Sequence, residues 1–269
     1  MIKKKFGFTL AEILITLSII GVVAALTAPA LTRNSGNAST GPKLAKVKAS
    51  FELANQNMMA DEGCTNVSTF IYDLANNNLL NTGATIYTEE YIRRLSKYWR
   101  ISKVKPRNEK IMDYNGNKLD AVRIEPIKPN GQLDNLTQQI CYFNGVDRFG
   151  WKTPEGCVVE IVVNSHIMID NGENTFRPDL FIYSGEMFVD INGNRPPNRI
   201  GKDIFLFLIQ NKGGTLVPYG WYEISDLQQA GLLSDSYWKT SCNKDGVKGN
   251  GFSCTASIFA NNYKVIYEE

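Results

Sequence analysis

Glu12 stands at the head of an uncharged apolar run, Ile13 to Leu31, and a carboxylate there needs a physical reason. An ionised acid inside hydrocarbon costs about 2.5 kcal/mol or more, so it is expected to be paired, and a protonated α-amine is the natural partner. A second group with chemical potential is the segment Asp190-Ile-Asn192-Gly193-Asn194-Arg-Pro-Pro-Asn198-Arg-Ile-Gly201-Lys-Asp203. Carboxylates and amide carbonyls on a tight loop are hard oxygen donors that suit calcium, with Asp190, Asn192, Asn198 and Asp203 as the ligands. The segment lacks the closing glutamate of an EF-hand loop. The plainer reading is an Asn-Gly turn followed by a Pro-Pro stretch that fixes the approach to the next strand.

The remaining reactive side chains are sparse. The only histidine, His166, lies in the run Asn164 to Ile169, where an exposed or structural role is expected rather than catalysis. No G-x-S-x-G elbow, Walker loop or paired metal-ligand motif is present, so nothing specifies nucleophilic or phosphoryl chemistry and the chain reads as a non-enzyme. The five cysteines, Cys64, Cys141, Cys157, Cys242 and Cys254, form no C-x-x-C pair, which argues against a metal held through sulfur. They read as disulfides made in an oxidising compartment, with one thiol left over. Cys242 and Cys254 enclose Gly246, Gly249 and Gly251, and a bridge there would close a flexible loop. Cys141 and Cys157 are the second pair expected, with Cys64 the odd thiol; the alternative pairs Cys64 with either of them.

Those residues need elements to carry them. A hydrophobic content of 43% with 21% charged residues fits a folded globular chain. The net charge of +2 includes Lys3, Lys4 and Lys5; without the first seven residues, 26 basic side chains face 27 acidic ones, or −1. No later basic run with interleaved aromatics offers a footprint for nucleic acid. As a helix, the 19 residues from Ile13 to Leu31 would reach about 28 Å, against about 30 Å of bilayer hydrocarbon. The leader lysines would remain cytoplasmic and the rest of the chain would lie outside. Residues 33–42, RNSGNASTGP, have a turn-forming composition that predicts a flexible break.

Beyond it, Leu44, Val47, Phe51, Ala54 and Met58 recur at helical spacing, the pattern of a helix packed on a sheet. Further helices are predicted at Ser68 to Leu80 and at Glu89 to Trp99, the latter with Thr88 as N-cap. From about Lys118 the pattern becomes short β-type runs: Leu119–Ile127, Gln139–Phe143, Val158–Val163, Leu180–Val189 and Ile204–Ile209. Recurrent Asn-Gly pairs at Asn115, Asn130, Asn144, Asn171, Asn192 and Asn250 supply tight turns between them, and an antiparallel sheet follows. Ser225-Asp226-Leu227-Gln228 has the capping-box pattern of one more short helix.

The string Lys4-Lys5-Phe6-Gly7-Phe8-Thr9-Leu10-Ala11-Glu12 before the apolar run resembles the signal of type IV prepilins and type II secretion pseudopilins. An ordinary secretory signal fits less well. Its cut would follow the run, where Ala28-Pro29-Ala30 places a proline, and the run exceeds the usual signal core of about 7–15 residues. A plain anchor would leave Glu12 to chance. The resemblance implies that a prepilin peptidase cuts after Gly7 and that Phe8, the new first residue, is N-methylated by the same peptidase/methyltransferase. Glu12 then becomes the fifth mature residue and pairs with the α-amine of a neighbouring subunit. Gly21 and Pro29 stand where the family favours a glycine and a proline, and both weaken the helix locally. A C-terminal loop bounded by a disulfide is also similar to the family, and Cys242 with Cys254 matches it. Some pseudopilins carry a calcium-bound loop, whose motif is not reproduced here residue by residue.

The resemblance implies an α+β, type IV pilin-like fold: a leader at 1–7, a transmembrane and assembly helix at 8–32 and an extracytoplasmic domain at 43–269. The break expected at 33–42 departs from it, since pilins usually continue the same long helix into the globular domain; either the chain breaks there or packing overrides propensity. The resemblance also implies a structural subunit, a minor pilin or pseudopilin by its size, stored as a single-pass protein in the inner membrane and assembled into a type IV pilus or type II secretion pseudopilus outside it. Its partners would be other pilin or pseudopilin subunits, the prepilin peptidase and an inner-membrane assembly platform, with no nucleic acid and no cofactor beyond calcium. The alternative is a membrane-tethered extracytoplasmic binding protein that never polymerises.

Overall fold

The structure, a computed structural model, describes residues 10–67, 83–104, 111–118, 122–124, 139–141, 150–163, 168–170, 173–175, 183–193, 195–219, 242, 251 and 253–265, with backbone alone at 26–38, 83–87, 122–124, 139–141, 168–170, 173–175 and 183. The chain divides into two compact units, Met1–Ser39 and Thr40–Glu269. Helix α1 is assigned over Leu10–Asp61.

From Leu10 to Ala25, α1 is apolar on every side. Leu14, Ile15, Leu17, Ile19, Ile20, Val22 and Val23 are all more than half exposed. A helix that is hydrophobic all round is one that something else must cover. The two hydroxyl side chains between Leu10 and Ala25 bond within the helix: Thr16 Oγ1 donates to the carbonyls of Glu12 and Ile13, each at 2.9 Å, and Ser18 Oγ donates to that of Leu14 at 2.8 Å. Such back-bonding satisfies a polar group without water. Among the described residues no helix is long and apolar enough to cross a membrane; of the predicted run Ile13 to Leu31, side chains are described only as far as Ala25.

The break expected at 33–42 is not present in the backbone, which stays helical through that stretch. The composition there is poor for a helix, but propensity is a weak prior that tertiary packing overrides. Thr40 is 2% exposed and Leu44 fully buried, so the end of the stretch is already inside the folded domain. The division between the units falls within it.

The second unit is an α+β domain. Its principal sheet is six-stranded and antiparallel, in the order β1 (Ser102–Val104), β4 (Gly150–Lys152), β5 (Val158–Val163), β8 (Tyr183–Asp190), β9 (Ile204–Gln210) and β10 (Leu216–Pro218). Two short ribbons pair β2 (Val122–Ile124) with β3 (Gln139–Cys141) and β6 (Met168–Asp170) with β7 (Glu173–Thr175). The predicted strands at 158–163, 180–189 and 204–209 match β5, β8 and β9, and shorter pieces of those at 119–127 and 139–143 appear as β2 and β3. On β5, Val159, Ile161 and Val163 are buried while Glu160 and Val162 are only half-buried, the alternation a pleated strand imposes.

The predicted stripe Leu44, Val47, Phe51, Ala54 and Met58 is buried in one core with Val159, Ile161, Met187, Val189, Phe205 and Phe207 of the sheet. Phe51 meets Trp99 edge to face, with ring centroids 5.6 Å apart. Polar ties fix the helix along its length. Glu52 Oε1 accepts the N–H of Leu216 at 2.8 Å, and Asn55 donates Nδ2 to the Gly214 carbonyl at 2.8 Å while accepting the Tyr91 hydroxyl at 2.5 Å.

Helix α2 runs over Gly83–Leu95, which corrects the N-cap expected at Thr88. Thr88 lies inside the helix, 8% exposed. Its Oγ1 accepts the N–H of Val163 at 3.2 Å and donates to the Val163 carbonyl at 3.5 Å, so the hydroxyl caps the end of a strand rather than the start of a helix. Helix α3, Cys254–Ala260, lies near the end of the chain. The helices expected at 68–80 and 225–228, the Asn-Gly turns at Asn130, Asn144, Asn171 and Asn250, and His166 lie outside the described residues.

Candidate functional site

Of the N-terminal processing and assembly residues, Gly7 and Phe8 lie outside the described residues. Glu12 sits in the first turn of α1, exposed. Its backbone carbonyl takes the Thr16 hydroxyl, and its side chain is the one ionisable group from Leu10 to Ala25. The helix passes through Gly21 and Pro29 without interruption, and a Cβ built on Gly21 would meet nothing within 4 Å. That face is open to a neighbour.

The second candidate lies in the other unit, where the structure brings Asp190, Asn192, Asn198 and Asp203 together on one turn between β8 and β9. Asp190, fully buried at the end of β8, accepts the N–H groups of Asn192 and Gly193 on Oδ1, each at 3.0 Å. Gly193 has φ 74°, the left-handed geometry that the Asn-Gly signal anticipates. Asp203, 4% exposed, is the hub of the far side. Its Oδ2 accepts Asn198 N–H at 2.8 Å and Asn192 Nδ2 at 3.0 Å, and its Oδ1 accepts Arg199 N–H at 2.5 Å. Ile191, the first residue past β8, donates its N–H to the Asp203 carbonyl at 2.9 Å.

Burial dominates the electrostatics of this turn. It pushes the Asp203 carboxyl up to about 6, the Asp190 charge adds to that rise, and the N–H donors of Arg199, Asn198 and Asn192 oppose it. Asn198 is 2% exposed with φ 50°, and its Oδ1 is a buried oxygen that accepts no hydrogen bond. As a test of the calcium fit, the turn supplies two buried carboxylates and one unused amide oxygen, all hard donors. Calcium takes about 6–8 oxygens, and several lone pairs of Asp190 and Asp203 are already taken by N–H groups. Among the described residues no group of three or more His, Cys, Asp or Glu could hold a metal ion. A hydrogen-bonded turn accounts for most of the geometry, and Asn198 Oδ1 is the atom it leaves over.

Cys242 and Cys254 form a disulfide with S–S 2.07 Å and Cα atoms 4.7 Å apart. It rests against the same turn: a Cβ built on Gly201, which has φ 82°, would come within 2.7 Å of Cys254 Sγ. The second bridge is not formed as expected. Cys157 is a fully buried thiol in the core behind β5, and burial pushes that thiol up to about 11. Its side chain is committed to core packing; the side chain of Cys141, on β3, lies outside the described residues. Thr88, Asn55 and Glu52 were legible only as polar residues within or beside apolar stripes, which is the one signal that could have marked them as structural ties.

Residues 2–28 match the family model of the prokaryotic N-terminal methylation motif. The match spans Gly7, Phe8, Glu12 and most of the apolar run, and it marks a type IV prepilin-like or pseudopilin-like N-terminus, a motif that implies processing by a prepilin peptidase. Neither a curated protein nor a solved structure matches the chain.

Proposed function

We propose that this protein is a structural subunit, a minor pilin or pseudopilin, made with the leader 1–7, stored across the inner membrane by α1 and drawn from there into a type IV pilus or type II secretion pseudopilus. The observation that carries the reading is the start of α1, Leu10 to Ala25, apolar on all sides, with back-bonded Thr16 and Ser18 and a single carboxylate, Glu12. Such a surface is served by lipid before assembly and by the helices of other subunits after it. Glu12 then pairs with the α-amine of Phe8 on a neighbour, which sets the axial register of a helical filament. Nothing in the turn or the sheet is asked to do catalysis.

Mass spectrometry of the protein purified from membranes tests the first step. The mature chain should begin at Phe8 and carry one added methyl group. A chain that keeps Met1, or begins at Ala30 or later, removes the proposal.

A calcium ion on the turn, held by Asp190, Asn192, Asn198 and Asp203, is the companion reading, favoured by the buried Asn198 Oδ1 that takes no hydrogen bond. There the ion would neutralise two buried carboxylates and brace the link between β8 and β9. Calorimetry of the full chain in detergent, stripped with chelator and then titrated with calcium, should show heat and a raised melting temperature. Neither appearing would dismiss the ion.

A further inference from the structure

We infer that the C-terminal turn 261–263 is a clasp that closes on helix α1 at Gly41 and fixes the point where that helix enters the folded domain. The contact is between backbones. A Cβ built on Gly41 would stand 1.8 Å from the Tyr263 carbonyl oxygen and 2.6 Å from its carbon, so only glycine admits the carbonyl. At that approach the Gly41 Cα–H groups face an acceptor, a weak but favourable contact. The composition that marks 33–42 as a breaker thus contains one glycine whose role is close packing.

The turn is shaped for this contact. Helix α3 ends at Ala260 with Asn261 as its C-cap. Asn262 takes φ 53°, and the N–H of Tyr263 donates to the Ile258 carbonyl at 2.8 Å. Those two features make a Schellman motif, which calls for one left-handed residue, and asparagine tolerates that geometry. Tyr263 then adopts φ 64° as well. The motif does not require this second positive angle, and a bulky residue adopts it only when its surroundings over-determine it. Its effect is to set the Tyr263 carbonyl on Gly41. The Tyr263 ring packs edge-on to Phe259 at 5.2 Å, and Phe259 packs in the same way on Phe207 of β9 at 5.7 Å, which ties the clasp to the sheet.

Its position gives the clasp a role. The boundary between the two compact units lies between Ser39 and Thr40, immediately before Gly41. Closed, the clasp holds the first domain-bound turn of α1, Thr40 to Leu44, in the core; opened, it would release that turn and lengthen the part of α1 outside the domain while the sheet stays intact. This inference does not depend on whether the helix ends in a bilayer or a filament.

Hydrogen–deuterium exchange on the full chain in detergent micelles tests it. In Gly41→Ala the amides of residues 41–47 should exchange about tenfold faster than in the parent, as local opening predicts, with β5, β8 and β9 unchanged. A chain ending at Asn261 should show the same local rise at 41–47 with no substitution in α1. Tyr263→Gly keeps the carbonyl and relieves the positive φ while giving up the ring's contact with Phe259, so it should retain most of the protection. Parent-like exchange at 41–47 in the truncated chain overturns the clasp. So does a loss of protection in Tyr263→Gly equal to that of truncation, which would assign the effect to the ring.

Discussion

Asn192 donates its Nδ2 to Oδ2 of Asp203 at 3.0 Å, and that bond closes the turn between β8 and β9 across the chain from Asp190. The same carboxylate gathers the backbone N–H groups of Asn198 and Arg199. Replacing Asp203 with alanine strands the buried Asn198 N–H, takes the partner from the half-buried Arg199 N–H, and leaves Asn192 Nδ2 only its longer bond to the Pro196 carbonyl. An unsatisfied buried donor costs about 1–3 kcal/mol, so Asp203→Ala should lower unfolding stability by roughly 3 kcal/mol or more. Asp203→Asn, which keeps one acceptor oxygen, should cost less. Urea unfolding of the two variants measures the difference; equal costs would show that the carboxylate's acceptors do not organise the turn.

The same group sets a pH dependence. Its ordinary value is 3.8 and its folded value about 6, so between these the native state binds the proton that the unfolded state has lost. Stability therefore falls as pH rises from about 4 to about 6, by roughly 3 kcal/mol at about 1.4 kcal/mol per unit. Melting temperatures recorded in chelator across that window should decline in the parent and lose this component in Asp203→Asn. Added calcium, if it sits on the turn, should flatten the decline by favouring the ionised form.

What could be read in the sequence follows from what each pattern encodes. The stripe from Leu44 to Met58 and the runs on β5, β8 and β9 were legible because burial imposes periodicity on them. The four turn residues were legible because Asn-Gly and paired aspartates have local geometric meaning. Thr88 was misread because a β-branched hydroxyl before two glutamates looks like a cap, and only the tertiary position of Val163 shows otherwise. Gly41 was misread for a related reason: a glycine chosen for close approach looks the same in sequence as one chosen for a break. The short strands β1, β4 and β10 carry too few residues for a period to emerge.

Thr88 offers its own test. Its hydroxyl is bonded to both the N–H and the carbonyl of Val163 at the end of β5. Thr88→Val preserves shape and removes both bonds, and should cost about 1–2 kcal/mol. Thr88→Ser should cost markedly less despite losing a methyl group. If valine proved as stable as threonine in chemical denaturation, the hydroxyl would be incidental to the packing of α2 on the sheet.

The disulfide should matter both for chain entropy and through the turn it touches. Cys242 and Cys254 are 12 residues apart, and closing a loop of that size contributes about 3 kcal/mol in the chain-entropy model. Leu206 N–H donates to Thr255 Oγ1 at 3.0 Å, so the residue after Cys254 also anchors β9. Cys254→Ala, or reduction with dithiothreitol, should lower the melting temperature by several degrees. The Gly201 turn should loosen with it, visible as faster amide exchange at 199–203. An unchanged melting temperature after complete reduction would show that α3 is held by its packing alone.

Glu12 carries the prediction that separates an assembling subunit from a tethered binding protein. Both readings need the leader and the apolar helix, but only assembly needs a carboxylate to meet the α-amine of another chain. Glu12→Ala should leave the protein in the membrane fraction, cleaved before Phe8, while its incorporation into sheared filaments drops by an order of magnitude or more. Losing a charge pair worth about 2 kcal/mol in a low-dielectric setting changes an equilibrium by a factor of roughly 30. Glu12→Asp retains the charge on a shorter stem and should recover part of the incorporation, whereas Glu12→Gln should not. Absence of the parent chain itself from sheared filaments, with parent and all three variants held alike in the membrane fraction, would favour the tethered protein, because a simple anchor is indifferent to what stands at its entrance.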